Sequence, residues 1–399
     1  MRMLPKHTNI YFSVRSRSTK FQKESIQSDI NFLRMAFLSI AYALPYGDKE
    51  RKTLNLKNKF MEYIATILFL IYVITDMEEI YESIRHLPIG LIFSSVVTSS
   101  SSVIMRIILI SRRRYLVSTI ENLLKICNCS NSQRKMDKLQ LIVGFSLCFI
   151  TPVGFLFFSV GLCLPGKEEL LQSYLESNCF GWSSKNKWIN CFVQISIDAF
   201  ILNQQYVLPG FVVVLCCYMF SLLKQGVESF RKLTRHQRDF NLLFNTYLNY
   251  SEQIFRCKAQ IEKSISFLLL ILFGFMVCSI FTSSTFLFTT NLKTVDPLVL
   301  LPQISSAIFI LAGFYITSLQ AVAIHSSAIK IKEYIHYTVA VSEWPDYKQK
   351  FLLLEMANIF PSKVVITVCR LFDFKRDFIW GTLSGFITYG MILSQLDKY

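Results

Sequence analysis

Residues 378–396 read FIWGTLSGFITYGMILSQL. The stretch is uncharged, is about as long as one bilayer crossing requires, and is entered from Asp373, Lys375, Arg376 and Asp377. Gly381, Ser384, Gly385, Thr388, Met391, Ile392 and Gln395 recur in steps of three and four and so form one stripe of a helix. Ile379, Phe386, Ile387 and Leu393 lie largely off that stripe. One face is mostly small and polar, the other apolar. Gly381 and Gly385 form a small-xxx-small pair that lets another backbone come close, and an amide such as Gln395 in hydrocarbon needs a partner or water. A packing face inside a helix bundle and a face lining a pore or cavity both fit this spacing.

The whole chain repeats the character of this stretch. Of 399 residues 52% are hydrophobic and 35 are Phe, which places the sequence with polytopic membrane proteins rather than with a pair of soluble domains. The net charge of +15 does not indicate nucleic acid, because the basic residues fall in the loops between apolar runs rather than on one soluble face. The eleven cysteines have no metal-site spacing: Cys127-Asn-Cys129 and Cys216-Cys217 lack the second half of a zinc site. His7, His86, His236, His325 and His336 are dispersed. The reading is therefore of a non-enzyme with no catalytic residues, no metal and no cofactor.

The expected fold class is all-α, a multi-pass protein of seven spans in a cell membrane. Residues 1–30 are basic and polar and read as a flexible cytoplasmic segment without a cleavable signal. Residues 31–46 are apolar but too short to cross, and Pro45 and Gly47 stop them, giving an amphipathic or re-entrant helix. Spans follow at about 60–75, 89–110, 139–164, 199–223, 265–288, 298–323 and 378–396. Arg106 sits near the end of the second, close enough to snorkel, and Pro152 and Gly154 predict a kink in the third. The segments before span one and after spans two, four and six hold 35 Lys and Arg, and the alternate segments hold 6. The amino end is thus expected in the cytoplasm and the carboxyl end outside, the inverse of a G-protein-coupled receptor. Asp-Arg-Tyr at the end of the third span and Asn-Pro-x-x-Tyr in the seventh are both missing. The cytoplasmic stretches 224–263 and 329–367 continue the helical period past the membrane.

Thr388 and Tyr389, followed by GMILS, Gln395 and Leu396, resemble the TYhhhhhQF signature that closes the last span of arthropod gustatory receptors. These are ligand-gated cation channels related to insect odorant receptors. Leu396 stands where that family usually has Phe, and Gly390 and Ser394 are less apolar than its pattern. The apolar segment ending in Pro45, the span count and the inverted orientation are similar too, so the resemblance loosely covers residues 31–399 as one channel domain. It implies a taste receptor opened by a small-molecule tastant, assembled in the lipid bilayer as a homo- or heterotetramer through the cytoplasmic helices. Gln395, Met391, Ile392 and Leu396 would line the pore, while Gly381, Gly385, Thr388 and Tyr389 would support that helix. An odorant-type channel subunit and a G-protein-coupled receptor are the alternatives, with a transporter behind them because no membrane-embedded acid stands out and no internal repeat is visible.

A ligand cavity should open in the outer half of the bundle. Topology brings there Ser94, Ser95 and Thr98, then Phe155, Phe158 and Ser159, then Asn203, Gln204, Gln205 and Tyr206, then Ser283 to Thr285, and finally Gln303, Ser305 and Ser306. Aromatic area with a few orienting amides and hydroxyls suits an uncharged small molecule, although interhelical hydrogen bonding explains many such residues. Asn203-Gln204-Gln205 is dense enough to favour a wet cavity. In the long outer loop a disulfide from Cys179 to Cys191 would close a short ring, with Cys163 just below as a third thiol and a reduced loop the alternative. A glycosylation acceptor on a short linker after Tyr399 should be modified when the protein is made with membranes; an acceptor modified only at the amino end would overturn the orientation.

Overall fold

Hydrocarbon offers no hydrogen bonds to a backbone, so a polytopic chain must close its N–H and C=O groups within each segment. The computed structural model does this with long helices. It describes residues 89–126, 131–166, 186–236, 240–289, 297–341 and 347–396, with scattered positions at 67, 73, 74 and 77 and between 168 and 184. All belong to one unit, Tyr63–Tyr399. The amino-terminal segment, the amphipathic helix at 31–46 and nearly all of the first expected span lie outside the described residues; Ile67, Val73 and Ile74 within that span are helical.

In chain order the elements are α1 (Ile89–Ile126), α2 (Asn131–Leu162), α3 (Lys187–Leu202), a π-helical turn (Asn203–Val207), α4 (Leu208–His236), α5 (Phe240–Thr289), α6 (Pro297–Val341), α7 (Tyr347–Val364), β1 (Thr367–Val368), β2 (Phe372–Asp373) and α8 (Arg376–Leu396). The helical set covers the second to seventh expected spans except Cys163 and Leu164, which lie just past α2. Among the described residues Ile142–Gly161, Lys187–Arg235, Phe240–Thr285 and Ile304–Val341 are long and apolar enough to cross a membrane. One boundary differs from the sequence expectation: the helix leading into the fourth span starts at Lys187. Pro152 lies inside α2, which continues past it.

With 50 residues α5 is about 75 Å long, and α6 with 45 is nearly as long, against a hydrocarbon core of about 30 Å. Both therefore continue well beyond the bilayer. α1 lies antiparallel along α5. Ser94 Oγ donates to the Cys278 carbonyl at 2.7 Å near one end, and Arg112 Nη1 donates to the Lys263 carbonyl at 2.6 Å toward the other. Arg106, between them, is buried rather than snorkelling to the surface. α4 is the inner helix, packed against α1, α2, α5 and α6, and its Val212, Cys216, Met219 and Phe220 are fully buried. Farther along, Phe230 of α4, Tyr247 of α5 and Phe360 of α7 meet at ring distances of 5.3 to 6.0 Å, and burial pushes the Tyr247 phenol upward.

Two features depart from helices alone. Between α7 and α8 the chain forms a small antiparallel hairpin, with Thr367 opposite Asp373 and Val368 opposite Phe372. Its turn holds Cys369 and Arg370 at φ of 49° and 60°, the left-handed region that side chains with a Cβ rarely adopt. External bonds hold it: the Cys369 N–H donates to Ser266 Oγ at 2.6 Å, and Glu262 Oε1 accepts from both the N–H and the hydroxyl of Thr367 at 2.8 and 2.7 Å. The second is a correction. Cys191 bonds Cys163, not Cys179, which lies outside the described residues. Because α3 begins at Lys187, Cys191 is already on a helix; it faces Leu171 and Leu175 with Cys163 just past α2, at a Cα separation of 5.7 Å.

The hairpin delivers Phe372, Phe374 and Phe378 into a cluster with Phe273 of α5 and Phe314 of α6. Phe372 and Phe378 stack at 4.6 Å, and Phe374 lies 5.3 Å from Phe273. Phe374 is completely buried, so Phe374→Ala should cost about 3–5 kcal/mol and lower the thermal midpoint of the detergent-solubilised protein. Leu371→Ala, exposed at the hairpin tip, should leave the midpoint unchanged.

Candidate functional site

The dense amide run occupies the π turn. Pro209 follows it, and a proline has no N–H to give and crowds the carbonyl four residues back, here that of Gln205. One wider turn accommodates both demands, with the Leu208 N–H donating to the Asn203 carbonyl. Gln204 and Val207 point into the protein, while Asn203, Gln205 and Tyr206 are half-buried. The Tyr206 ring stands 5.1 Å from Phe155 of α2 and 6.5 Å from Phe309 of α6. Three helices thus share one aromatic seam beside three amides.

Other expected site residues have structural partners. Besides its bond to Cys278, the Ser94 hydroxyl shares a hydrogen bond of 2.6 Å with Thr282, and Thr98 Oγ1 donates to the Ser94 carbonyl at 2.8 Å. Ser94 therefore joins α1 to α5, and Thr98 bonds within its own helix. Thr285 likewise bonds the Phe281 carbonyl, and Ser283 and Ser306 are buried. Phe158 and Gln303 lie on α2 and α6, with side chains outside the described set.

The sequence reading missed the acid at this end. Asp198 of α3 is buried, 8% exposed, and its Oδ2 accepts from Gln194 Nε2 at 2.7 Å and from the Ser159 hydroxyl. This corrects the view that no acid lies within the spans. The signal was Gln194 and Asp198 four residues apart in an otherwise apolar run, visible only once the helix is started at Lys187. At the rim, Lys187 Nζ pairs with Glu168 at 2.6 Å, and that hydrogen bond holds the Glu168 carboxyl below its usual range. Among the described residues no group of three His, Cys, Asp or Glu could hold a metal ion.

At the last helix, Gly381, Ser384, Gly385 and Thr388 are all exposed, whereas Ile379 is buried. The small and polar stripe thus faces away from the rest of the chain. Tyr389, Met391, Ile392, Gln395 and Leu396 continue the same helix, their side chains outside the described set. The helix start is fixed by the phenylalanine cluster and by Glu262, which pairs with Lys258 at 2.7 Å as well as with Thr367.

Neither a protein-family model nor a curated protein matches the sequence. Among solved structures, the insect olfactory receptor OR5 from Machilis hrabei is similar with a TM-score of 0.63 at 14% identity, over 93% of this chain and 98% of that one. The same receptor in complex with eugenol matches with a TM-score of 0.62 at 12% identity, over the same shares. The chain has the fold of an insect olfactory receptor and is a helical polytopic membrane protein.

Removing the Asp198 carboxylate leaves the buried Gln194 amide without the acceptor it has here, and the Ser159 hydroxyl with only the Phe155 carbonyl at 3.2 Å. Asp198→Ala should therefore destabilise by about 1–3 kcal/mol. Asp198→Asn keeps one acceptor oxygen and should cost clearly less, as read from thermal unfolding in detergent; equal losses would remove the carboxylate's role as shared acceptor.

Proposed function

We propose that this protein is a chemosensory receptor of the gustatory type, working as a ligand-gated, nonselective cation channel of four subunits, homo- or heteromeric, in the cell membrane. The observation that carries the reading is the last helix, whose exposed Gly381, Ser384, Gly385 and Thr388 form a stripe that a lone chain in lipid would leave against hydrocarbon. Four copies turning that stripe inward give it neighbours and a water path. The fold likeness to an insect olfactory receptor and the Thr388-Tyr389 to Gln395 motif support the same reading.

In this reading residues 31–399 form the channel domain. Met391, Ile392, Gln395 and Leu396 line the outer constriction, where an apolar ring can gate by dewetting and an amide oxygen can replace water around a passing cation. Gly381 and Gly385 allow close packing, and Thr388 and Tyr389 support the helix. An uncharged tastant binds beside Tyr206, Phe155, Asn203 and Gln205. It opens the pore only by binding the open arrangement better than the closed one. No chemical step is assigned to any residue. One observation favours the odorant-type alternative: the solved receptor of this fold was also obtained in complex with eugenol.

Gln395→Ala should change single-channel conductance or cation preference while leaving the half-activating ligand concentration nearly unchanged. Tyr206→Ala should do the reverse, raising that concentration about tenfold, as expected for loss of one aromatic contact of about 1–1.5 kcal/mol. Patch-clamp recording with panels of sugars, bitter compounds and volatile aromatics reads both. Unchanged permeation in Gln395→Ala would end the pore assignment.

A further inference from the structure

Below the Tyr206 seam lies a cavity of about 350 Å³, between α2, α4 and α6, with Phe275 and Met276 of α5 at its back. Its α4 wall is Gly210, Val213, Val214, Cys217, Tyr218 and Ser221, one stripe in steps of three and four. α6 runs parallel to it: an added Cβ at Gly210 would meet Phe309, one at Gly313 would meet Val213, and Cys217 Sγ lies 3.8 Å from Thr317 Oγ1. α2 runs the other way, with Cys148 beside Gly210 and Gly144 beside Val214. These contacts order the cavity along the bundle.

The order carries a gradient. The end nearer Tyr206 is closed by Phe309, Gly210 and Cys148, and the far end holds Tyr218, Ser221 and Gln320. The eleven-residue step from Gly210 to Ser221 on one helix gives a slot of about 16 Å. No residue lining it is charged. The Ser221 oxygen accepts from Gln225 Nε2 at 3.3 Å, so its own proton is available to donate into the slot. Along the mouth Val143, Leu147 and Ile316 are about half exposed. They lie within membrane spans, so the surroundings of the mouth are lipid rather than water.

We propose that this slot binds a neutral, hydroxyl-headed membrane lipid of the sterol class, entering sideways from the bilayer. The apolar body lies along Val213, Gly313 and Phe309 with its hydroxyl at Tyr218, Ser221 and Gln320. A carboxylate or phosphate head has no cation among the lining residues, and a two-chain lipid exceeds a cavity near the lower end of ligand-pocket sizes, about 300–1,000 Å³. The site adjoins the outer ligand site of the proposed channel, with Phe309 between the two, and its test needs no gating.

The test uses the full-length protein in nanodiscs with a photoreactive, clickable sterol, and adducts are mapped by peptide mass spectrometry. Labelling should concentrate on the α2, α4 and α6 peptides that line the slot and be competed by unlabelled sterol, but not by a fatty acid or an anionic phospholipid. Val213→Phe and Ala312→Phe, which fill the slot from two helices, should each cut labelling about tenfold, the scale on which a hydrophobic pocket discriminates by size. Thermal unfolding identifies any variant that fails to fold, and the other then decides. Gln320→Leu, at the polar end, should reduce labelling while leaving the body's space intact. Labelling spread over the outer surface, competition by the fatty acid alone, or undiminished labelling of a folded slot-filled variant would overturn the assignment.

Discussion

The structure depends on a knot of five phenylalanines. Phe273 and Phe314 come from the middle of α5 and α6, while Phe372, Phe374 and Phe378 come from the hairpin and the start of α8. The last helix turns its small and polar stripe away from its own bundle, and among its described residues the buried one, Ile379, lies at its start. Its position must therefore be fixed at its base. The rings supply area that dispersion and edge-to-face contact turn into a defined orientation, and the Phe372 and Phe378 stack joins hairpin to helix. Glu262 and Ser266 complete the joint by binding the hairpin backbone to α5, which also holds Cys369 and Arg370 in their left-handed turn.

From that joint the long helices run past the membrane. α5 and α6 each continue as one unbroken rod, so displacement of either inside the bilayer moves its extension beyond the bilayer as well. These extensions are in turn held by aromatic contacts among Phe230, Tyr247 and Phe360 and by the pairing of His325 with the Pro361 carbonyl at 3.2 Å. Pro361 lies inside α7.

What the sequence made legible follows from the range of each interaction. Apolar run length, loop charge and helical period are local quantities, and they gave the helical set, the extensions 224–263 and 329–367, and the stripe on the last span. Partners separated by a hundred residues were not legible. Ser94 read as a cavity lining because its bond to Cys278 comes from a different span, and Asp198 read as a loop residue because the start of α3 depends on packing against α2. The disulfide followed the same error: with α3 begun too late, Cys191 was left free to reach the nearer thiol. The hairpin was invisible because its strands are two residues each, too short for any alternation, and its turn lacks the glycine that usually announces positive φ.

The glycine at position 210 joins these observations into one mechanical statement. An added Cβ there would lie 2.8 Å from Cys148 Sγ and 2.9 Å from the end of the Phe309 ring, so α2, α4 and α6 cross without slack. That closeness brings Phe309 within reach of Tyr206, and Tyr206 within reach of Phe155. Five residues further along α6, about 7 Å by helical rise, is Phe314, which already belongs to the knot that fixes α8 and lies 6.2 Å from Phe378. The outer aromatic seam and the base of the last helix are therefore less than two turns apart on one rigid element. On the proposed reading, a molecule seated against Tyr206 bears on the tight crossing at Gly210, and a shift of α6 there carries the rest of that helix with it. The work it does by preferring one α6 position reaches the foot of α8 through Phe314, provided the knot has two packings of nearly equal energy.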